Sequence, residues 1–244
     1  MSVDVRTPAY QALADDLRAQ ITSGRLVPGD RLPTEPQLCR TSGVSRSTVR
    51  EALRLLASQH LIVTTRGMAG GSFVAHPSPA HLSETLATGV RLLQAQSVVT
   101  ANELLEVRAL VEIPAAGLAA RRRLPEHIDD LRQSLFDPET TPIEDMIAQH
   151  PRFHELVATA SCNPLLDLIS RPLLAVANAS ELLSECGRDM WIRIDADHRE
   201  IFAAIVDGDP AAAEAAAARH AATLLAVGRD LHLIDDVVSA ADGV

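Results

Sequence analysis

No lysine occurs in this sequence, and all 22 basic side chains are arginine. The two side chains differ physically, but replacing one by the other throughout a chain is a mark of codon usage in a GC-rich genome, so no function is read from it. Cysteine is scarce. Cys39, Cys162 and Cys186 are odd in number, lie far apart and form no C-x-x-C pair, which excludes a disulfide framework and a thiolate metal centre and leaves ordinary buried thiols. No run of about 18 apolar residues is present. The opening Met1-Ser2-Val3-Asp4-Val5-Arg6 also lacks the basic-then-apolar layout of a secretory signal. The expectation is a soluble, cytoplasmic protein with no membrane partner.

What is there suffices for two domains: 244 residues, 47% of them hydrophobic. A net charge of −10 argues against nucleic acid only if it is evenly spread. Residues 1–76 carry nine Arg against six acidic residues, whereas 77–244 carry thirteen Arg against twenty-six. Only the first segment suits a phosphate backbone. Pro77-Ser78-Pro79 falls at this boundary as a stiff linker, because paired prolines stop both strand and helix. The expected division is a DNA-binding domain over 1–76, a linker over 77–80, an all-helical domain over 81–235 and a tail over 236–244. Beyond the linker the patterning predicts seven helices, over 80–95, 100–122, 125–135, 142–160, 163–185, 188–207 and 210–231. Asp137-Pro138, Thr141-Pro142, Asn163-Pro164 and Gly208-Asp209-Pro210 place proline at or near helix starts. The alanine-rich stretch Ala211 to Ala218 reads as a close-packing face for a bundle or a dimer contact.

In the first segment, Leu13, Leu17 and Ile21 recur every four residues and Gly24 ends the pattern, which predicts a helix over 10–23. A turn at Pro28-Gly29, a short helix over 34–41 and the break Ser42-Gly43-Val44 follow. Next comes SRSTVREALRLLASQ, with Ser45 as N-cap and an apolar stripe of Val49, Ala52, Leu53 and Leu56. Two helices joined through a glycine turn make a helix-turn-helix candidate, whose second helix meets DNA with its first turns. Those turns carry Arg46, Ser47, Thr48 and Arg50. Arg46 and Arg50 lie four apart beside the stripe, where each can reach guanine or phosphate; a solvated helix face has the same pattern. Two β-rich runs, 61–65 and 72–75, flank the glycine-rich Arg66-Gly67-Met68-Ala69-Gly70-Gly71 and form a hairpin suited to a wing.

Taken together, GRLVPGDRLPTE, GVSRSTVREALRLLASQHLI and RGMAGGSFVA resemble the GntR family of winged-helix regulators over nearly all of residues 10–76. The resemblance implies DNA contacts from Arg46, Ser47, Thr48 and Arg50 in the recognition helix and from Arg66 and Gly67 in the wing. One position departs. Pro36 stands where the family often has a basic residue after L-P-[ST]-E, which implies one DNA contact fewer at the second helix.

Nine histidines occur, and His60, His76, His81, His127 and His232 sit at element ends or polar faces. The other four group differently. His150 and His154 share one face of the fourth predicted helix, His198 lies within the sixth and His220 within the seventh. Helical bundles build metal sites from such sets, although four unrelated helical histidines would show the same spacing. The second segment resembles the FCD sensor domain of the FadR branch of GntR regulators, through ELLEVRALVEIPAAGLAARR, FHELVATASCNPLLDLI and DHREIFAAIVDGDPAAAEAAAARH. The resemblance implies a mainly α protein, with three helices and a β-hairpin wing followed by a seven-helix antiparallel bundle. It also implies a metal on His154, His198 and His220, with His150 where the family has Asp. Imidazole donors suit zinc first and nickel second.

The function expected is a non-enzymatic repressor that binds a palindromic operator as a homodimer and is released by a small carboxylate effector at the metal. Arg108 is a candidate clamp for that carboxylate, or else a partner of Glu112 one helical turn on; Asn178 is a second lining candidate. The alternatives are a purely structural metal with another effector, such as an acyl-CoA, and, more remotely, a metal-dependent hydrolase.

Overall fold

The computed structural model describes residues 7–67, 70–76, 78–178 and 186–230, without the side chains of 178 and 228–230. Two compact units meet between Ser78 and Pro79.

The first unit contains α1 (Ala9–Thr22), α2 (Glu35–Ser42), α3 (Arg46–Ser58), β1 (Ile62–Thr65) and β2 (Gly71–Val74). Leu13 and Leu17 of α1 pack with Leu38 of α2, with the α3 stripe Val49, Ala52, Leu53 and Leu56, and with Ile62 and Val74 of the hairpin. Each fully buried aliphatic side chain contributes about 1.5–3 kcal/mol, so this small core depends on the stripe being unbroken. The break between α2 and α3 is set from both sides. Gly43 adopts the left-handed conformation at φ 67°, and the Ser45 hydroxyl accepts the Thr48 N–H at 3.2 Å. β1 and β2 pair antiparallel, with Ile62 opposite Val74 and Thr65 opposite Gly71. The segment before α2 does more than turn: Leu32 N–H donates to the Ser72 carbonyl and Val74 N–H to the Asp30 carbonyl, both at 2.8 Å. β2 is thereby held on both edges.

The second unit contains α4 (Pro79–Ala95), α5 (Ala101–Arg122), α6 (Pro125–Gln133), α7 (Ile143–Ala160), α8 (Pro164–Asn178), α9 (Arg188–Asp207) and α10 (Pro210–Asp230). The mainly α class with a two-stranded wing is as the sequence implies, and the described helix limits fall within two residues of those expected. The last part of the helix expected over 163–185, His232 and the tail over 236–244 lie outside the described residues. Thr100 starts α5 through a capping box: its hydroxyl accepts the Glu103 N–H at 3.1 Å, and its own N–H donates to the Glu103 carboxylate at 2.8 Å.

Three helices run through an interior proline, Pro114 in α5, Pro151 in α7 and Pro172 in α8. Each removes an N–H and frees a carbonyl one turn back, a cost of about 3 kcal/mol in an isolated helix, so packing holds these helices together. For α5 that packing is built from small residues. Ala116, Ala119 and Ala120 of α5 meet Ala213, Ala216 and Ala217 of α10, with Phe153 and Ile201 filling the centre. One expectation fails: Cys162 is exposed, in a left-handed position at φ 48° just past α7, because the chain turns there toward α8. Among the described residues no helix is long and apolar enough to cross a membrane.

Candidate functional site

In the first unit, Arg46, Ser47 and Arg50 are exposed and Thr48 is half-buried on the first turns of α3. Burial of Val49 and Ala52 on the opposite side fixes this outward face. The Ser45 hydroxyl lies 2.8 Å from those of Ser47 and Thr48, so the hydroxyls of this turn are tied to the cap. Arg46 and Arg50 form no hydrogen bond or ion pair among the described residues, whereas Arg54 is paired with Glu51 at 2.5 Å. Two adjacent uncompensated guanidiniums at a helix start can take phosphate or guanine. Arg66 and Gly67 are exposed at the end of β1, with Gly67 at φ 109° where the wing turns. The Arg31 guanidinium donates to the Gly70 carbonyl and lies over the Phe73 ring at 5.8 Å, bracing the wing from below. No local sequence signal reveals that brace, because Arg31 and Phe73 are distant along the chain.

In the second unit, His150 and His154 of α7, His198 of α9 and His220 of α10 converge, with one donor nitrogen from each lying within 4.8 Å of all the others. All four are buried. The His154 Nε2 lies 3.4 Å from His150 Nε2 and 3.2 Å from the Nε2 atoms of both His198 and His220. Behind it, His154 Nδ1 is 3.0 Å from Glu112 Oε2. Glu112 also takes the Arg108 guanidinium, with Nε to Oε1 at 2.7 Å. His220 Nδ1 faces Asp197 at 3.4 Å, and His198 Nδ1 is buried with no hydrogen-bond partner.

Electrostatics disfavour the charged form of His150, His154 and His198. Burial, reinforced by the neighbouring histidines, pushes His150 and His198 well below the usual imidazole range. Burial also brings His154 down to about 4, although Glu112 works against it. Burial alone would raise the Glu112 carboxyl, but Arg108 and His154 outweigh it and hold the group ionised. With Nδ1–H donated to an ionised Glu112, His154 presents one lone pair at Nε2. One lone pair cannot accept from three imidazoles at once, whereas a cation accepts all four nitrogens.

Two nitrogens bound at about 2.1 Å lie about 3.4 Å apart at a tetrahedral angle and never more than about 4.2 Å apart. The three contacts to His154 fit directly. The widest pair, within 4.8 Å, has to close to about 4.2 Å or less for all four to share one ion and to about 3.4 Å for a tetrahedral one. The residues present can therefore hold a metal ion, and the carboxylates behind His154 and His220 are the kind of partners that orient ligating histidines. A small cavity of about 20 Å³ adjoins His154 and His220, walled by apolar side chains that include Ala115, Ala116, Phe153, Val157, Ala217 and Ala221.

The sequence pattern of the bacterial regulatory proteins of the gntR family matches residues 9–74, and that of the FCD domain matches 103–223. The HTH-type transcriptional regulator LutR of Bacillus subtilis is 30% identical over 213 residues, covering 82% of this chain and 92% of LutR. The chain belongs to the GntR family. The Glc operon transcriptional activator of Escherichia coli is 30% identical over 95% of this GntR chain and 92% of its own. The galactonate operon transcriptional repressor of the same species is 30% identical over 82% and 88%. A Streptococcus agalactiae GntR structure, 24% identical, superposes with a TM-score of 0.60 over 89% of this chain and 99% of that one, which shows the shared fold.

This GntR protein is thus a DNA-binding transcriptional regulator and not an enzyme. Its Arg108 pairs with Glu112, one of the two alternatives its spacing left open. The part Glu112 plays behind His154 was not legible, since a carboxylate in LVEIP on α5 shows no spacing relation to α7. The side chain of Asn178 lies outside the described residues. Pro36 occupies the second position of α2, where a missing N–H costs nothing.

Proposed function

We propose that this GntR regulator is a metal-dependent repressor, acting in the cytoplasm as a homodimer on a palindromic operator and released by a small organic acid. The convergence of four buried imidazoles on one point carries the reading. His150, His154, His198 and His220 would hold a divalent transition metal, zinc first and nickel second, whose Lewis acidity would attract a carboxylate. Arg46, Ser47, Thr48 and Arg50 would contact bases and phosphates, with Arg66 and Gly67 supplying the wing contacts. Dimerisation follows from the small size of one reading head, because two heads on a two-fold axis read a palindrome.

The cavity beside His154 and His220 favours an effector at this site over a metal with a structural role alone. Its small volume and apolar walls suit a long acyl chain poorly, and a short acid would enter with a shift of those walls. The galactonate operon named for one relative concerns a hydroxy acid, which agrees in class.

The test uses the full chain and a duplex selected by it from a random pool. Elemental analysis of protein purified without chelator should give about one zinc or nickel per chain, and short hydroxy acids should weaken duplex binding only in the metal-loaded protein. Protein that carries no metal and takes up neither zinc nor nickel on titration would overturn the sensing mechanism.

A further inference from the structure

Four polar side chains line the cavity beside the histidines: Glu112, His154, His220 and Ser170. Three of them are engaged. Glu112 holds Arg108 and His154, and His220 faces Asp197. Ser170, on α8, is 2% exposed, and its hydroxyl is buried without a hydrogen-bond partner among the described residues. A buried hydroxyl left unmatched is destabilising, and such groups in folded proteins are normally satisfied by protein or by something bound. The remaining walls are apolar and offer it nothing.

We infer that Ser170 is a specificity-determining residue of the effector cavity, which hydrogen-bonds a second oxygen function on a short carboxylate held at the histidine end. This rests on the effector reading above and adds to it. The apolar walls limit length, and the lone hydroxyl asks for a ligand carrying a hydroxyl or a second carboxylate in addition to the first. A simple fatty acid leaves Ser170 unmatched. A hydroxy acid or diacid satisfies it.

The test compares matched acids on the zinc-loaded full chain by calorimetry: propionate against 3-hydroxypropionate, and butyrate against succinate. Wild-type protein should favour the oxygenated member of at least one pair by roughly tenfold, the effect of one buried hydrogen bond. Ser170→Ala should shrink that preference to about twofold or less, with zinc content and affinity for the plain acid unchanged. Without any acid, the Ser170→Ala thermal midpoint should equal or exceed that of wild type, because the variant removes an unmatched group.

A preference that survives in Ser170→Ala, or a lowered midpoint of the ligand-free variant, would overturn the assignment and leave the effector cavity standing. If zinc binds but none of the four acids does, the organic-acid reading falls and this inference falls with it.

Discussion

His154 Nδ1 lies 3.0 Å from Glu112 Oε2, which ties the centre of the histidine cluster on α7 to a buried carboxylate on α5. The bond fixes the ring so that Nε2 faces the other three histidines, and Arg108 keeps Glu112 ionised from the other side. Glu112→Gln keeps the shape but weakens this hold. Zinc affinity measured by chelator competition should fall roughly 10- to 100-fold. An unchanged affinity would show that Glu112 serves only as an ion-pair partner of Arg108.

The four histidines are not equivalent. Three short nitrogen contacts meet at His154, whereas His150 makes one of them, at 3.4 Å. His154→Ala should abolish stoichiometric zinc binding. His150→Ala should retain it with reduced affinity, and His150→Asp, which restores the residue type the family pattern has there, should bind more tightly than the alanine variant. Equal losses in His150→Ala and His154→Ala would indicate four equal ligands.

Much of this arrangement was legible because periodicity survives in single segments. The stripe from Val49 to Leu56 specified α3, and the four-residue spacing of His150 and His154 put both on one face of α7. Juxtapositions between distant elements were not legible. Glu112 behind His154, Ser170 at the cavity and Arg31 under the wing each depend on how helices or strands far apart in sequence come together, and no local pattern encodes that. The interior prolines show the converse case. Pro114, Pro151 and Pro172 violate local helix rules, yet α5, α7 and α8 run through them because tertiary packing outweighs the lost hydrogen bonds.

The pair Arg46 and Arg50 gives the plainest test of the DNA face. Arg50→Ala should weaken binding to the selected duplex by about 1–3 kcal/mol if it reads a base, and relax discrimination at one position. A phosphate contact would instead lower affinity evenly across sequences and reduce the salt dependence. Unchanged binding would remove α3 as the recognition helix.

Acid should reach the second unit through the cap of α5. The Thr100 backbone N–H, and then its hydroxyl, hold the exposed Glu103 carboxyl below its ordinary value of 4.5. A carboxyl more acidic in the folded state stabilises it above the unfolded value, and that contribution is lost as pH falls through the lower folded one. Glu103→Gln keeps the hydrogen-bonding pattern without the titration. Between pH 6 and pH 3 the thermal midpoint of wild type should therefore fall further than that of Glu103→Gln, and parallel declines would show that the charge at this cap has no effect.

The wing offers two neighbouring glycines with different constraints. A Cβ on Gly70 would lie 2.6 Å from the Thr65 carbonyl oxygen and 2.8 Å from that of Gly67, both backbone atoms of the same hairpin that cannot swing aside. A Cβ on Gly71 would meet the Arg31 guanidinium at 2.8 Å, the far end of a flexible side chain. Gly70→Ala must therefore open the turn that presents Arg66 and Gly67, while Gly71→Ala displaces the brace and also strains the backbone at φ 159°. Overpacking of the first kind costs about 1–3 kcal/mol, and here it falls on the wing and leaves the α1–α3 core intact. Anisotropy with the selected duplex should show a larger loss for Gly70→Ala than for Arg31→Ala, which removes the brace alone, with base discrimination by α3 retained in both. If Gly70→Ala binds like wild type, the wing does not contribute to affinity and the DNA contacts reside in α3 alone.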